Sequence, residues 1–156
     1  MERETFEKLV SEVTRALAGK PLDAALAAEL NAKFPPAGAA FKAIEAACHE
    51  AIKDGWMCNR AAGGIKFGRV AKPSAALAGF SIDVVDMADV KGPHHRHPQG
   101  EIDMIMPITP GAAFDGHGAG WCVYAPDTAH HPTVRGGRAL VLYLLPAGAI
   151  EFTGAS

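Results

Sequence analysis

The stretch Gly92-Pro93-His94-His95-Arg96-His97-Pro98-Gln99-Gly100-Glu101 decides how this chain is read. Side chains two residues apart on an extended backbone point to the same side, so His95 and His97 share a face and His94 points away. Pro98 and Gly100 are turn formers. A turn there brings the Glu101 carboxylate round to join the two imidazoles. Imidazole and carboxylate together suit a divalent metal ion, whether iron, manganese, zinc, nickel or copper.

Working outward, six of the seven histidines lie between His94 and His131, and only His49 falls elsewhere. So many imidazoles would repel one another if all were charged; a metal ion, or hydrogen bonds between neutral rings, holds such a group together. The segment Gly120-Trp-Cys-Val-Tyr-Ala-Pro126-Asp-Thr-Ala-His130-His131 supplies a further ligand. A tight turn at Pro126-Asp127 returns the chain toward the first three, and spacing alone leaves His130 and His131 equal candidates.

The flanks set the architecture. Between Thr5 and Ala18, Phe6, Leu9, Val10, Val13 and Leu17 form one helical stripe, ended by Gly19 and Pro21. A second helix is predicted from Leu22 to Lys33, before Pro35-Pro36, and a third from Ala39 to Asp54, before Gly55. Beyond Trp56 the helical spacing disappears. Short β-rich runs separated by Gly and Pro take over, at Ile65–Val70, Phe80–Met87, Glu101–Pro107, Trp121–Ala125, Ala139–Leu145 and Ile150–Phe152. The expectation is a mainly β protein: a helical segment over 1–58, packed on a β-barrel over 59–156.

Composition excludes several classes. The 156 residues are 49% apolar and 21% charged, enough for an ordinary core without staples. A formal net charge of −2 with scattered Lys and Arg argues against nucleic-acid or membrane-surface partners. No run approaches the ~18 apolar residues of a membrane span. The opening Met1-Glu2-Arg3-Glu4 is too acidic for a secretory signal, so a cytoplasmic setting is expected. Cys48, Cys58 and Cys122 are odd in number with no CxxC pair, which suits reduced thiols.

The segment 92–101 resembles the first cupin motif, His-x-His, three or four residues, then Glu, and Pro126-x-x-x-x-His131 resembles the second, with Thr128 where the family has glycine. The resemblance implies a jelly-roll barrel with a metal held by His95, His97, Glu101 and, from the motif register, His131. Residues 92–98, Phe114-Asp-Gly-His-Gly-Ala-Gly-Trp121 and His131-Pro-Thr-Val-Arg-Gly-Gly-Arg-Ala-Leu-Val-Leu-Tyr-Leu-Leu-Pro146 together resemble the 4-hydroxylaminobenzoate lyases, small cupins of nitroaromatic degradation. That implies an enzyme acting on a small aromatic carboxylate, with release of ammonia. Cupins commonly pair through their barrels, so a homodimer is expected.

Further candidates surround the ligand motif. Asp103 shares a face with Glu101 on a regular strand and can move a proton or orient a ligand. His130 and Tyr124 are candidate catalytic groups, and His117, in Asp115-Gly-His-Gly, lies on a candidate lid. Arg69, Arg96, Arg135 and Arg138 are candidate anchors for a substrate carboxylate, since a guanidinium binds one bidentately, and nothing in the sequence chooses among them. Two other readings fit the same ligand set: a metal-dependent dioxygenase acting on a small aromatic or thiol compound, and a non-catalytic binding cupin.

Overall fold

The computed structural model describes residues 1–156. Helix α1 spans Arg3–Leu17, α2 Ala24–Lys33 and α3 Ala39–Asp54. The second begins two residues later than the apolar spacing suggests, because the Asp23 carboxylate caps it by accepting from Leu26 N at 2.9 Å. The third ends on Gly55, whose φ of 90° lets its N–H reach the Ala51 and Ile52 carbonyls. No helix is long and apolar enough to cross a membrane.

The strands are β1 Arg60–Ala62, β2 Ile65–Ala71, β3 Phe80–Lys91, β4 His95–His97, β5 Glu101–Pro107, β6 Ala113–Phe114, β7 Gly120–Tyr124, β8 Thr128–His130, β9 Thr133–Pro146 and β10 Glu151–Phe152. They form a seven-stranded sheet in the order β1-β2-β3-β9-β5-β7, with β6 added on β9, and a three-stranded sheet β10-β4-β8. All pairings are antiparallel. The expected barrel is therefore two sheets without a hydrogen-bonded ladder closing them. Prolines explain part of this: Pro93 and Pro98 flank β4, and Pro126 and Pro132 flank β8. Lacking an N–H, they stop the small strands from extending into a ladder.

The large sheet is buried on both faces. Ile82 and Val84 of β3, Ile102, Met104 and Met106 of β5, and Leu140, Leu142 and Leu144 of β9 pack in one apolar cluster with Phe6, Val13, Leu30, Phe41 and Ile44 of the helices. Alternation sends Val85, Met87, Ile105, Val141 and Tyr143 to the opposite face, in a second cluster. On the β7 edge, Asn31 of α2 takes the place of a neighbouring strand: its Oδ1 accepts from Trp121 N and its Nδ2 donates to Trp121 O, both at 2.9 Å. A Cβ on Gly120 would lie 2.6 Å from that Oδ1, so only glycine admits the clamp. An open sheet edge is thereby closed within the chain.

Candidate metal centre

The site lies between the two sheets. Strand β4 carries His95 and His97 inward with Arg96 outward, and β5 opens on Glu101. The two are joined by a turn in which His97 O accepts from Gly100 N at 3.2 Å and from Asp127 N at 2.8 Å. Gly100 has φ 89°, and a Cβ there would meet Leu22 Cδ2 and Tyr124 O at 2.7 Å. The turn expected at Pro98 and Gly100 thus forms with a glycine that nothing can replace without displacement.

His95, His97, Glu101 and His130 bring their ligand atoms within 4.8 Å of one another. The fourth member is His130, and this corrects His131, the residue implied by the motif register. The cause is strand pairing: β8 runs antiparallel to β4 with His95 opposite His130, Arg96 opposite Ala129 and His97 opposite Thr128. Residues directly opposite share a face, so His130 and Thr128 turn inward and His131 turns out. His131 instead places Nδ1 3.2 Å from Gly92 O and packs its ring on His94, centroids 4.8 Å apart.

Within the group, His95 Nε2 stands 3.3 Å from Glu101 Oε1, His97 Nε2 3.4 Å and His130 Nε2 3.6 Å from Glu101 Oε2, and His130 Nε2 3.2 Å from His95 Nε2. Donors about 2.1 Å from a common ion and at right angles stand about 3 Å apart, so this spacing suits one ion. His97 Nε2 and Glu101 Oε2 are buried and have no hydrogen-bond partner. A bound cation would satisfy both, which is the physical reason to regard the group as fitted to a metal.

The ring orientations are fixed from outside. The Thr128 hydroxyl donates to Ala125 O at 2.7 Å, which leaves its lone pairs to accept from His97 Nδ1 at 3.0 Å. His130 Nδ1 lies 2.6 Å from Asp115 Oδ2, and the same oxygen accepts from Tyr124 Oη at 2.5 Å; Asp115 Oδ1 accepts from Thr133 N at 2.9 Å. Both imidazoles therefore carry their proton on Nδ1 and direct Nε2 into the group, as metal-binding histidines do. Without an ion, burial lowers His130, but the Asp115 and Glu101 carboxylates outweigh it and raise it to about 9. Burial pushes Glu101 up, yet the three imidazoles of His130, His95 and His97 crowded around its carboxylate win and hold it well below the usual carboxylate range.

Asp103 is completely buried two residues along β5, on the face of Glu101. Burial and the Glu101 charge raise it well above the ordinary carboxylate range. Tyr124 is committed to Asp115. Asp115 was not singled out in the sequence, although it precedes the Gly116 that marked a turn; it is the residue on which His130, Tyr124 and β9 converge. Its neighbour His117 is exposed and bonds through its backbone to Phe114. Among the arginines, Arg96 faces outward to Asp127 and Glu151, and Arg138 grips Asp86 at 2.7 and 2.8 Å. Neither lines the pocket beside the site. Arg69 does, as do Arg60, Tyr143 and Asp83, which lie outside the histidine motifs.

Two antiparallel sheets with a His, His, Glu and His group gathered between them give the arrangement expected from the cupin-like motifs at 92–101 and 126–131. A model of the 4-hydroxylaminobenzoate lyase family (PnbB) matches residues 8–152. The chain is 34% identical over 132 residues to the 4-hydroxylaminobenzoate lyase of Nocardioides sp. (strain LMS-CY), covering 79% of this chain and 78% of that one. It is 30% identical over 140 residues to the protein of the same name from Pseudomonas putida, covering 79% and 80%. Among solved structures, an RmlC-like cupin from Ralstonia eutropha JMP134 aligns with a TM-score of 0.41 at 14% identity, over 55% of this chain and 57% of that one. A DMSP lyase from Ruegeria pomeroyi DSS-3 aligns with 0.40 at 21% identity, over 86% and 79%. The chain belongs to the 4-hydroxylaminobenzoate lyase family, and is an enzyme of lyase type.

Proposed function

We propose that this chain is a metal-dependent lyase converting 4-hydroxylaminobenzoate and water to 3,4-dihydroxybenzoate and ammonia. The observation that carries the reading, beside family membership, is the group of three imidazoles and one carboxylate whose buried His97 Nε2 and Glu101 Oε2 lack partners. The overall conversion balances with water alone, without an oxidant or a nucleotide. His95, His97, Glu101 and His130 would hold the ion. A divalent metal bound there would supply Lewis-acid polarisation of an oxygen atom.

The chain's own groups have separate tasks in this reading. Asp115 holds the proton on His130 Nδ1, and Thr128 accepts the one on His97 Nδ1, so neither ring rotates during turnover. Asp103, buried on the face of Glu101, is the candidate group for moving a proton in the site. Apolar walls at Phe67, Val85 and Met87 keep bulk water from the ring. Cytoplasmic location belongs to the same reading, supported by three buried, unpaired cysteines, Cys48, Cys58 and Cys122. So does a homodimer, supported by the exposed strand β1 at the sheet edge.

The test is ammonia release from 4-hydroxylaminobenzoate by metal-loaded protein under strict anaerobiosis. Ammonia and 3,4-dihydroxybenzoate in equal amounts are expected. Turnover that appears only when oxygen is admitted would replace this reading with a dioxygenase.

A further inference from the structure

Beside the metal group, and bordered by His95, lies a pocket of about 620 Å³. Its walls include Phe67, Val85, Met87, Tyr143, Ile150 and Phe152, which suit a flat apolar ring. Apart from the histidine, its charged lining residues are Arg60, Arg69 and Asp83. Their charges leave one net positive, the complement of a single carboxylate.

The two guanidinium groups differ in commitment. Arg69 is clamped: Nε and Nη2 reach the Asp83 carboxylate at 3.1 to 3.2 Å, and Nη2 also reaches Gly148 O at 3.3 Å. Arg60 stands on β1 directly opposite Phe67 of β2, so its side chain leaves the sheet on the face of Phe67, toward the pocket. It forms no ion pair, whereas Arg69, Arg96 and Arg138 are each paired to carboxylates. An unpaired guanidinium fork at the margin of an apolar slot is what bidentate recognition of a carboxylate requires.

We propose that Arg60 anchors the substrate carboxylate and makes this pocket selective for aromatic monocarboxylates, with the Arg69–Asp83 pair as a fixed wall beside it. The substrate class rests on the lyase reading; the anchor is a claim about binding. Arg60 lies on an exposed three-residue strand, so its replacement leaves both apolar clusters intact.

Calorimetric titration of metal-loaded protein with 4-aminobenzoate and with 4-aminobenzamide, which do not carry the leaving hydroxyl, separates the two claims. The carboxylate is expected to bind wild-type protein about tenfold or more tighter than the amide, the worth of a charged hydrogen-bonded pair. Arg60→Ala should remove that preference without changing amide affinity, and Arg60→Lys should restore part of it. Equal carboxylate affinity in wild type and Arg60→Ala would overturn the anchor, as would a wild-type protein indifferent to the carboxylate. Loss of the preference in Arg60→Ala, in a protein that releases no ammonia, would uphold the anchor and sink the lyase reading.

Discussion

The two faces of the seven-stranded sheet are written on the same strands and do opposite work. Along β5, Ile102, Met104 and Met106 go to the helices, while Glu101 and Asp103 turn inward. Along β3, Ile82 and Val84 go out and Asp83 goes in; along β9, Leu142 and Leu144 go out and Tyr143 goes in. Arg69, Asp83, Tyr143, Asp103 and Cys122 are successive cross-strand partners over five strands, a polar row on the inner face. Burying such groups costs several kcal/mol unless each is paired. The apolar outer face, covered by α1–α3, offsets that cost. Stability and chemistry are thus separated by the two-residue period of the strand.

The sharpest way to break this division is to cross it. His97→Ala, on the inner side, should abolish metal binding and turnover together with the fold retained. Met104→Ala, facing the helices, should cost about 2–5 kcal/mol in denaturant unfolding while activity per folded molecule is unchanged. A His97→Ala protein that keeps full activity, or a Met104→Ala protein that is folded but inactive, would erase the distinction.

A smaller effect probes the support behind the ligands. Asp115→Asn leaves the fold in place but weakens the hold on His130, and metal affinity should fall about 10–100-fold. Thr128→Val, at the equivalent position behind His97, should act in the same direction, and unchanged metal affinity in both would remove these residues from the site. On the sheet edge, Asn31→Ala should lower stability by about 1–3 kcal/mol, since it strips both bonds from Trp121, without altering metal content. Smallest is the effect on the thiols. Burial pushes Cys58 and Cys122 up to about 12, so iodoacetamide at pH 8 should label neither in the folded protein. Rapid labelling of Cys122 would show that the inner face is open to solvent.

How much of this could be read beforehand depended on the range of the interaction. The helical stripes and the long strands were legible because each is a local period. So was the inward face of His95 and His97, which follows from alternation within three residues. The choice between His130 and His131 was not, because it depends on pairing between β4 and β8, two short strands set off by prolines. Asp115 escaped for a similar reason: its carboxylate meets His130 and Thr133 only after the loop before β7 folds across the site. Thr128 looked like a departure from the motif, yet it holds His97 in place. Of the arginines that are candidate anchors by sequence, Arg96 and Arg138 are held by Asp127, Glu151 and Asp86 away from the pocket, a pairing no local pattern reveals.

The adjacent histidines of β8 provide the most direct test of the site. Metal content per folded chain, measured side by side for His130→Ala and His131→Ala after equal loading, isolates the register of one strand. Loss of metal in His130→Ala and full occupancy in His131→Ala is the expected result. Full occupancy in His130→Ala with loss in His131→Ala would contradict the geometry and return the fourth ligand to the residue outside the group.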